Sequence, residues 1–223
     1  SQRSGFAESN MHQTLLIVID GLRPDALSLA DVPNIQGLLA RGAYSLKART
    51  VTPSVTLPVH FSIFSGLTPV DHGVLTNVAP FVRGPGLFSM ARARGLKTAS
   101  FYNWEQLRSL SNPGDLGASF FLDNAAAPDG DLEIARLAAA YFPGGRPDLA
   151  FVYFGGLDLA GHAFCFNSPE YLYTLARADQ ALGIVLAVWA ESAPDGRVLF
   201  LSDHGGYGND HAEDRPENLT VPF

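Results

Sequence analysis

The sequence is poor in several features that define other protein classes. Cys165 is the only cysteine among 223 residues, so the chain cannot form an internal disulfide. Charged residues make up only 17%, and the 15 basic residues form no block that would offset 22 acidic ones, which argues against binding to a nucleic-acid backbone. The longest apolar run, 181–190, is shorter than the roughly 20 residues needed to span a bilayer, so we expect no transmembrane segment.

The chain does contain enough apolar sequence for a large core. Hydrophobic residues make up 47% of it, and its length suits one α/β domain better than two. We expect a polar N-terminal leader over residues 1–13 and a single domain over 14–223. The opening SQRSGFAESN has no apolar segment of the secretory type, and together with the lone cysteine this favours a reducing, cytoplasmic setting. The oligomeric state stays open.

Short apolar runs alternate with segments of helical period along the chain. Three continuous aliphatic or aromatic runs are typical of strands that are buried on both faces, at 15–19, 149–154 and 198–201. Weaker strand candidates lie at 97–102 and 118–122. This alternation predicts an α/β fold, in which a mostly parallel central sheet is covered by helices on both faces.

Three helices are indicated between these strands. Ser168 and Pro169 form a typical helix start, and apolar residues then recur every three or four positions from Tyr171 to Trp189. The same spacing from Ile134 to Tyr141 predicts a second helix. A third is expected to begin near Pro58 and to end at Gly66.

An acidic residue follows each of the three buried runs. These are Asp20, Asp158 and Asp203. A single aspartate at a strand end is usually a turn former or a helix cap. In an open parallel sheet, however, residues after the carboxyl ends of the strands face one crevice, so three acids are expected to lie together there.

Three histidines accompany these acids. His162 follows Asp158 by four residues, His204 is adjacent to Asp203, and glycines would let the chain curl so that His211 reaches back. Imidazoles and carboxylates together are the ligand set of borderline-soft divalent ions. We therefore expect two bound metal ions, zinc foremost and manganese as the second choice.

The other three histidines have structural interpretations. His60 lies inside the predicted third helix, where a packed, hydrogen-bonded histidine is commoner than a metal ligand. His72 belongs to an Asp-His-Gly string that follows Thr68-Pro69 in a turn rather than a buried strand. His12 lies in the polar leader, where we expect it to be exposed.

A hydroxyl residue suited to nucleophilic attack lies just before the third helix. The N-terminus of a helix offers free N–H groups and a positive dipole end to a phosphoryl group, and Thr56 is best placed to use them. A nearby metal would activate its hydroxyl. The alternatives are that Thr56 only caps the helix or that Ser54 is the nucleophile.

Charge counting favours a phosphate ester as substrate. Two divalent ions contribute +4 and three acids −3, which leaves +1 before Thr56 ionises. A singly charged phosphodiester would balance this site most nearly. A small-molecule phosphate ester is therefore the expected partner.

Four segments resemble a known family. They are VIDGLRPDAL at 18–27, TPSVTLPVHFSIFSGLTPVDHGVLTN at 52–77, GGLDLAGH at 155–162 and SDHGG at 202–206. Their order and combination are similar to the alkaline phosphatase superfamily, specifically its nucleotide pyrophosphatase/phosphodiesterase branch. The resemblance covers nearly the whole chain. It implies an alkaline-phosphatase-like core and a two-zinc phosphoryl-transfer site.

The resemblance also implies roles for single residues. One zinc would be held by Asp20, Asp203 and His204 together with the nucleophile Thr56. The other would be held by Asp158, His162 and a third histidine, for which His211 is the candidate. Asn77 matches the family asparagine whose amide donates to a non-bridging phosphate oxygen, although by itself it would be interpreted as a turn residue.

The sequence departs from the family pattern in two places. The third histidine of nucleotide pyrophosphatases lies far downstream, whereas the short spacing to His211 is more similar to phosphotransferases and mutases of the superfamily. The chain also ends at TVPF, where the family has a further strand. The expectation is a sequence truncated at Phe223 or a disordered tail.

The function predicted from the sequence is that of a binuclear metal-dependent phosphodiesterase or nucleotide pyrophosphatase-like hydrolase. Thr56 would form a covalent phospho-enzyme, and Asn77 and the Leu57 N–H would stabilise the equatorial oxygens. The alternatives are a phosphomonoesterase, a phosphonoacetate hydrolase of the same superfamily and a non-catalytic metal-binding homologue. A sulfatase would need cysteine or serine in place of Thr56, and no G-x-S-x-G elbow indicates a serine esterase.

Overall fold

Seven β-strands organise the chain in the computed structural model, which describes residues 12–78 and 85–223. In chain order they are β1 (Thr14–Ile19), β2 (Ala48–Arg49), β3 (Thr98–Tyr102), β4 (Ala118–Phe121), β5 (Leu149–Phe154), β6 (Arg197–Leu201) and β7 (Thr220–Val221). All five predicted strands are present, with ends that differ by one residue at most.

The main sheet has five strands in the order β4-β3-β5-β1-β6, and every neighbouring pair is parallel. β1 is an inner strand between β5 and β6, since Leu15 lies opposite Ala150 of β5 on one side and Val198 of β6 on the other. The carboxyl ends of these three strands therefore lie side by side at one edge of the sheet.

Eight α-helices connect the strands among the described residues. They are α1 (Pro33–Arg41), α2 (Thr56–Ser65), α3 (Pro69–His72), α4 (Leu87–Ala93), α5 (Gly130–Gly145), α6 (Gly156–Phe164), α7 (Pro169–Ser192) and α8 (Pro216–Leu219). Two 3₁₀ turns lie at Asp25–Ser28 and Glu105–Leu110. None of the helices in the described part of the chain combines the length and the apolar character needed to cross a membrane.

Both faces of the inner strands β1, β3 and β5 are buried, and alternate side chains of each strand point to opposite sides. Leu15 and Ile17 of β1 join a core with helices α1, α5 and α7, whereas Leu16 and Val18 join a second core with α2 and α4. This explains why β1 is aliphatic at every position from Leu15 to Ile19. The predicted α/β class with helices on both faces is confirmed.

The two longest helices follow their sequence patterns. The Ser168 hydroxyl accepts a hydrogen bond from the Tyr171 N–H at 3.2 Å and caps α7, whose predicted apolar stripe is buried. The helix around Ile134 extends over α5 as Gly130–Gly145. The third predicted helix, α2, begins at Thr56, two residues before the expected start at Pro58. This is compatible with proline, since the first turn needs no intrahelical N–H donor.

The C-terminal segment stabilises the turn after β6. β7 pairs antiparallel with β2. The N–H groups of Gly205 and Gly206 donate to the carbonyls of Asn218 and Glu217 at 2.8 and 3.0 Å. These bonds fix the backbone next to Asp203 and His204.

Candidate metal centre

Acids at the ends of three adjacent strands converge at the carboxyl edge of the sheet. Asp20 follows β1 directly, Asp203 follows β6 after one residue, and Asp158 lies in the first turn of α6 after β5. All three aspartates are buried. The Gly21 backbone, at φ +70°, passes so close to Asp158 that a Cβ there would lie 3.1 Å from it. The predicted convergence of the strand ends is therefore a feature of the structure.

The first cluster surrounds the imidazole of His204. Its Nε2 lies 3.1 Å from Asp20 Oδ1, 3.5 Å from Asp203 Oδ2 and 3.2 Å from the Thr56 hydroxyl oxygen. The ligand atoms of Asp20, Asp203 and His204 all lie within 4.8 Å of one another, as a metal site requires. Thr56 adjoins this cluster from the start of α2.

The second cluster contains the two remaining histidines. His162 Nε2 lies 3.3 Å from Asp158 Oδ2, and His211 Nε2 lies 3.2 Å from His162 Nε2 and 3.8 Å from Asp158 Oδ1. The His204 ring stacks on His211 with centroids 3.7 Å apart, and the ligand atoms of Asp158, His204 and His211 are also within 4.8 Å of one another. The two clusters are therefore contiguous.

Backbone carbonyls fix the orientation of all three imidazoles. Nδ1 of His162 lies 2.7 Å from the Asn209 carbonyl, that of His204 lies 2.8 Å from the Gly205 carbonyl, and that of His211 lies 2.6 Å from the Ser54 carbonyl. Because a carbonyl can only accept, each Nδ1 carries the hydrogen, and each Nε2 of a neutral ring is left with its lone pair. Metal-binding histidines are commonly oriented in this way.

Ser54, the alternative nucleophile, takes part in this support. Its hydroxyl donates to the His211 carbonyl at 2.6 Å, while its own carbonyl accepts from His211 Nδ1. The side chain is buried. Ser54 is thus tied to the backbone of a metal-ligand candidate.

Unpaired polar atoms show that the clusters suit cations. Asp20 Oδ1, Asp158 Oδ1 and Asp203 Oδ2 are buried without a hydrogen bond among the described residues. A buried carboxylate oxygen without a partner costs free energy, and a cation would satisfy it. Three carboxylates and three imidazoles form a donor set that fits zinc or a similar divalent ion.

The acids shift the titration of two imidazoles. Burial lowers the pKa of His204, but the charge of Asp203 and the adjacent, charged Asp20 carboxylate outweigh it and raise this pKa to about 10. The hydrogen bond with Asp158 raises the pKa of His162 to about 9. Burial and the charge of Asp20 raise the pKa of Asp203. The site therefore concentrates negative charge that attracts protons or metal ions.

Thr56 does not cap its helix. The N-cap of α2 is Val55, whose side chain makes no capping hydrogen bond. Thr56 is instead the first helical residue, 3% exposed, and its hydroxyl contacts His204. The capping interpretation of Thr56 is wrong, because its side chain faces the cluster rather than the N–H groups of the first turn.

Asn77 lies beside the same helix end. Its Oδ1 accepts the Leu57 N–H at 2.9 Å, which leaves the Nδ2 of its amide as a donor. Leu57 was expected to offer this N–H to a phosphate oxygen. In the structure this N–H donates to Asn77 Oδ1 instead. It is one of the N–H groups that an α-helix leaves without an intrahelical partner at its start.

The three histidines interpreted as structural lie outside both clusters. His60 is fully buried and donates from Nδ1 to the Thr56 carbonyl at 2.8 Å, and burial lowers its pKa to about 4. His72 contacts the Ser62 hydroxyl at 3.0 Å, and His12 is exposed. His60 Nδ1 nevertheless lies 3.6 Å from Asp203 Oδ2, so this ring is next to the first cluster.

Tyr153 is a site residue that the sequence analysis missed. It belongs to the buried run of β5, and its hydroxyl donates to Asp20 Oδ2. Burial and the charge of Asp20 raise its pKa well above the usual value, so the phenol stays protonated. A buried tyrosine normally has a hydrogen-bond partner, and this rule is the signal that could have pointed to it.

A second missed feature supports α6, the helix that carries Asp158 and His162. Asn103 follows β3, is 1% exposed, and accepts the Gly155 N–H at 3.1 Å. Its Nδ2 donates at 2.8 Å to Asp131 Oδ1, which also accepts the Gly156 N–H at 3.3 Å. We call Asn103 and Asp131 the brace of α6, because together they satisfy two N–H groups at its start.

Sequence comparison identifies relatives over most of the chain. The family model described as type I phosphodiesterase/nucleotide pyrophosphatase matches residues 14–93 and 93–219. A venom phosphodiesterase of Macrovipera lebetinus is 27% identical over 91% of this chain and 26% of its own length. Human ectonucleotide pyrophosphatase/phosphodiesterase family member 1 is 26% identical over 86% of this chain and 23% of its own length.

An uncharacterized pyrophosphatase/phosphodiesterase of Schizosaccharomyces pombe is 27% identical over 88% of this chain and 46% of its own length. The chain thus spans less than half the length of these three curated relatives. Solved structures agree in fold. Murine ectonucleotide pyrophosphatase/phosphodiesterase 5 in complex with AMP has a TM-score of 0.75 and 16% identity, over 87% of this chain and 57% of that one.

A phosphonoacetate hydrolase from Sinorhizobium meliloti 1021, in complex with phosphonoformate, has a TM-score of 0.66 and 21% identity. It matches 87% of this chain and 56% of its own. At these identities the two solved structures establish the fold alone.

Proposed function

The chain belongs to the type I phosphodiesterase/nucleotide pyrophosphatase family, and from this premise we propose that it is a metal-dependent phosphoric ester hydrolase with Thr56 as its nucleophile. The preferred substrate class is a phosphodiester or a nucleotide pyrophosphate. The observation that carries the proposal is the position of the Thr56 hydroxyl, 3.2 Å from His204 Nε2 at the start of a helix and at the edge of the first cluster. A phosphoryl group placed there would meet a nucleophile and a positive helix end together.

The two clusters would divide the ligands between two divalent cations. Zinc is the preferred ion for both, and manganese is the alternative. Asp20, Asp203, His204 and Thr56 would hold one. The other would be held by Asp158, His162 and His211. When bound, such cations lower the pKa of a nearby hydroxyl and neutralise charge on the phosphate and on the leaving oxygen.

The protein's own groups determine the course of the reaction. The Thr56 hydroxyl loses its proton and Oγ1 forms a bond to phosphorus, while the bond to the leaving oxygen breaks and that oxygen takes up a proton. A water molecule then cleaves the threonine phosphoester and restores the hydroxyl. Asn77, held through its Oδ1 by Leu57, donates from Nδ2 to a non-bridging oxygen.

The charge of the site supports a diester rather than a monoester. Among the described residues, the ion pairs of Asp20, Asp158 and Asp203 all have histidine partners. No lysine or arginine of this part of the chain pairs with them, so two divalent ions and three carboxylates leave a net charge of about +1. A singly charged diester therefore suits the site better.

The substrate class can be tested with one zinc-loaded preparation. We expect a higher kcat/KM for bis(p-nitrophenyl) phosphate than for p-nitrophenyl phosphate. A preference for the monoester would overturn the substrate class, and cleavage of phosphonoacetate alone would favour the phosphonate alternative. A protein that binds about two zinc ions but cleaves none of these esters would be the non-catalytic homologue.

The nucleophile can be tested with a matched pair of variants. Thr56→Ala should reduce kcat by at least roughly a thousandfold, whereas Thr56→Ser keeps a hydroxyl and should retain measurable turnover. Zinc content and the circular dichroism spectrum of both should match the wild type. Full activity of Thr56→Ala would remove Thr56 from the mechanism.

A further inference from the structure

A cleft lies behind α6, on the side opposite the metal centre. Its volume is about 590 Å³, in the range of sites that hold small organic molecules. Asp158 and His162 are one turn apart on one face of the helix. The helix residues that line the cleft recur at the same period on the other face, namely Gly156, Leu159, Ala160, Ala163 and Phe164. We call this space the α6 cleft.

The walls of the α6 cleft are mostly apolar and unusually exposed. Leu159, Phe164 and Tyr173 are 41%, 55% and 67% exposed. Large apolar side chains that line one concave space in this way are typical of a binding surface. They would contact the flat or aliphatic body of a ligand.

A buried acid lies among the lining residues. Asp131 is 8% exposed, and its Oδ1 is occupied by Asn103 Nδ2 and the Gly156 N–H. Its Oδ2 accepts no hydrogen bond from the described residues and lies 2.8 Å from where a Cβ of Gly156 would be. Because Asp131 is among the residues that line the cleft and this oxygen has no partner among the described residues, it offers an acceptor to a ligand.

The charges around the cleft specify the kind of ligand. Arg177, the basic residue of the lining, already donates to Asp129. Glu170 adds a second acid. The negative charge of Asp131 thus has no cation of the protein beside it among the described residues, so a positively charged occupant is favoured.

We infer that the α6 cleft binds a small organic cation, whose N–H donates to Asp131 Oδ2 and whose apolar body packs against Leu159, Phe164 and Tyr173. Oδ1 keeps its bonds to Asn103 and Gly156, so binding would leave the brace of α6 intact. The site is separated from the metal clusters by the helix itself. It therefore does not depend on the proposed hydrolase activity.

Benzamidine is a suitable probe, because it joins an aromatic ring to a cation with N–H donors, and benzamide is its neutral counterpart. In isothermal titration calorimetry of the zinc-loaded protein, we expect saturable binding of one benzamidine per chain. Benzamide should bind at least roughly tenfold more weakly, which corresponds to the loss of about 1.4 kcal/mol. Equal binding of both, or no saturable binding, would overturn the inference.

Two variants locate the binding site. Asp131→Asn retains an acceptor for the Gly156 N–H but removes the charge, and it should weaken benzamidine binding at least roughly tenfold. Ala163→Trp fills the cleft from its exposed side and should abolish binding even where Asp131→Asn fails to fold. Ala93→Trp, at an exposed alanine of α4 away from the cleft, is the matched control. Wild-type affinity in Ala163→Trp would show that the probe binds elsewhere.

Discussion

Removal of Asn103 should separate the start of α6 from the sheet. Asn103→Ala deletes the acceptor of the Gly155 N–H and the donor to Asp131 Oδ1, two bonds of 3.1 and 2.8 Å. Both lie in a fully buried region, since Asn103 is 1% exposed. An alanine side chain fills part of the space but satisfies neither group.

The loss of stability is estimated from the two groups that lose their hydrogen-bond partner, the Gly155 N–H and Asp131 Oδ1. A buried N–H without a partner costs about 1–3 kcal/mol, and a lost hydrogen bond to a carboxylate costs about 1.5–3 kcal/mol. We therefore expect the free energy of unfolding to fall by about 3–5 kcal/mol. In a protein of this size each kcal/mol lowers Tm by about 2–4 °C, so Tm should fall by roughly 6–20 °C.

Thermal unfolding of the metal-free protein, followed by circular dichroism, measures this loss. Asn124→Ala is the matched control, because its amide also donates to a carboxylate of α5, Glu133 at 2.6 Å, but at an exposed site. The control should change stability by less than about 1 kcal/mol. If the two variants unfold within about 2 °C of each other, the brace has no energetic importance and the reasoning is refuted.

Three further predictions concern the metal centre and its support. Tyr153→Phe removes the donor to Asp20 Oδ2, so zinc affinity in a chelator competition should fall roughly 10–100-fold. The pKa values of about 10 for His204 and about 9 for His162 lie above neutrality, so zinc must displace about two protons at pH 7. Zinc should therefore bind more tightly as the pH rises towards 9. Calorimetry in buffers of different ionisation enthalpy measures the number of protons released. Gly156→Ala places a Cβ 2.8 Å from Asp131 Oδ2, so the free energy of unfolding in urea should fall by about 1–3 kcal/mol. The control Gly144→Ala meets nothing within 4 Å and should leave this free energy unchanged or raise it.

The position of the candidate site was predictable because buried strands have a simple pattern. Short apolar runs such as 15–19, 149–154 and 198–201 are typical of strands covered on both faces, and the residues that follow such strands lie at the sheet edge. Asp20 and Asp203 were located in this way. The strand order β5-β1-β6 makes these strand ends neighbours. This order could not be predicted from the apolar pattern of any single strand.

The support of the site could not be predicted from the sequence. His211 is oriented by the Ser54 carbonyl, 157 positions away, and every residue of the chain offers the same acceptor. The Tyr153 hydroxyl and the Asn103 amide act across strands in a similar way. Such contacts depend on which strands pair, so residue type alone does not reveal them. The catalytic and metal-binding roles stay predictions.

The position of His204 limits how the two clusters can be filled. Its Nε2 contacts Asp20 and Thr56, yet His204 also belongs to the group of candidate ligands formed with Asp158 and His211. A neutral imidazole has one lone pair at Nε2 and can bind only one cation there. If His204 serves the cluster of Thr56, the other cation depends on His162, whose side chain is 39% exposed while that of His204 is 0% exposed. The cluster of Asp158 should therefore lose its metal to a chelator first, and the cluster that would activate Thr56 should retain its metal longer.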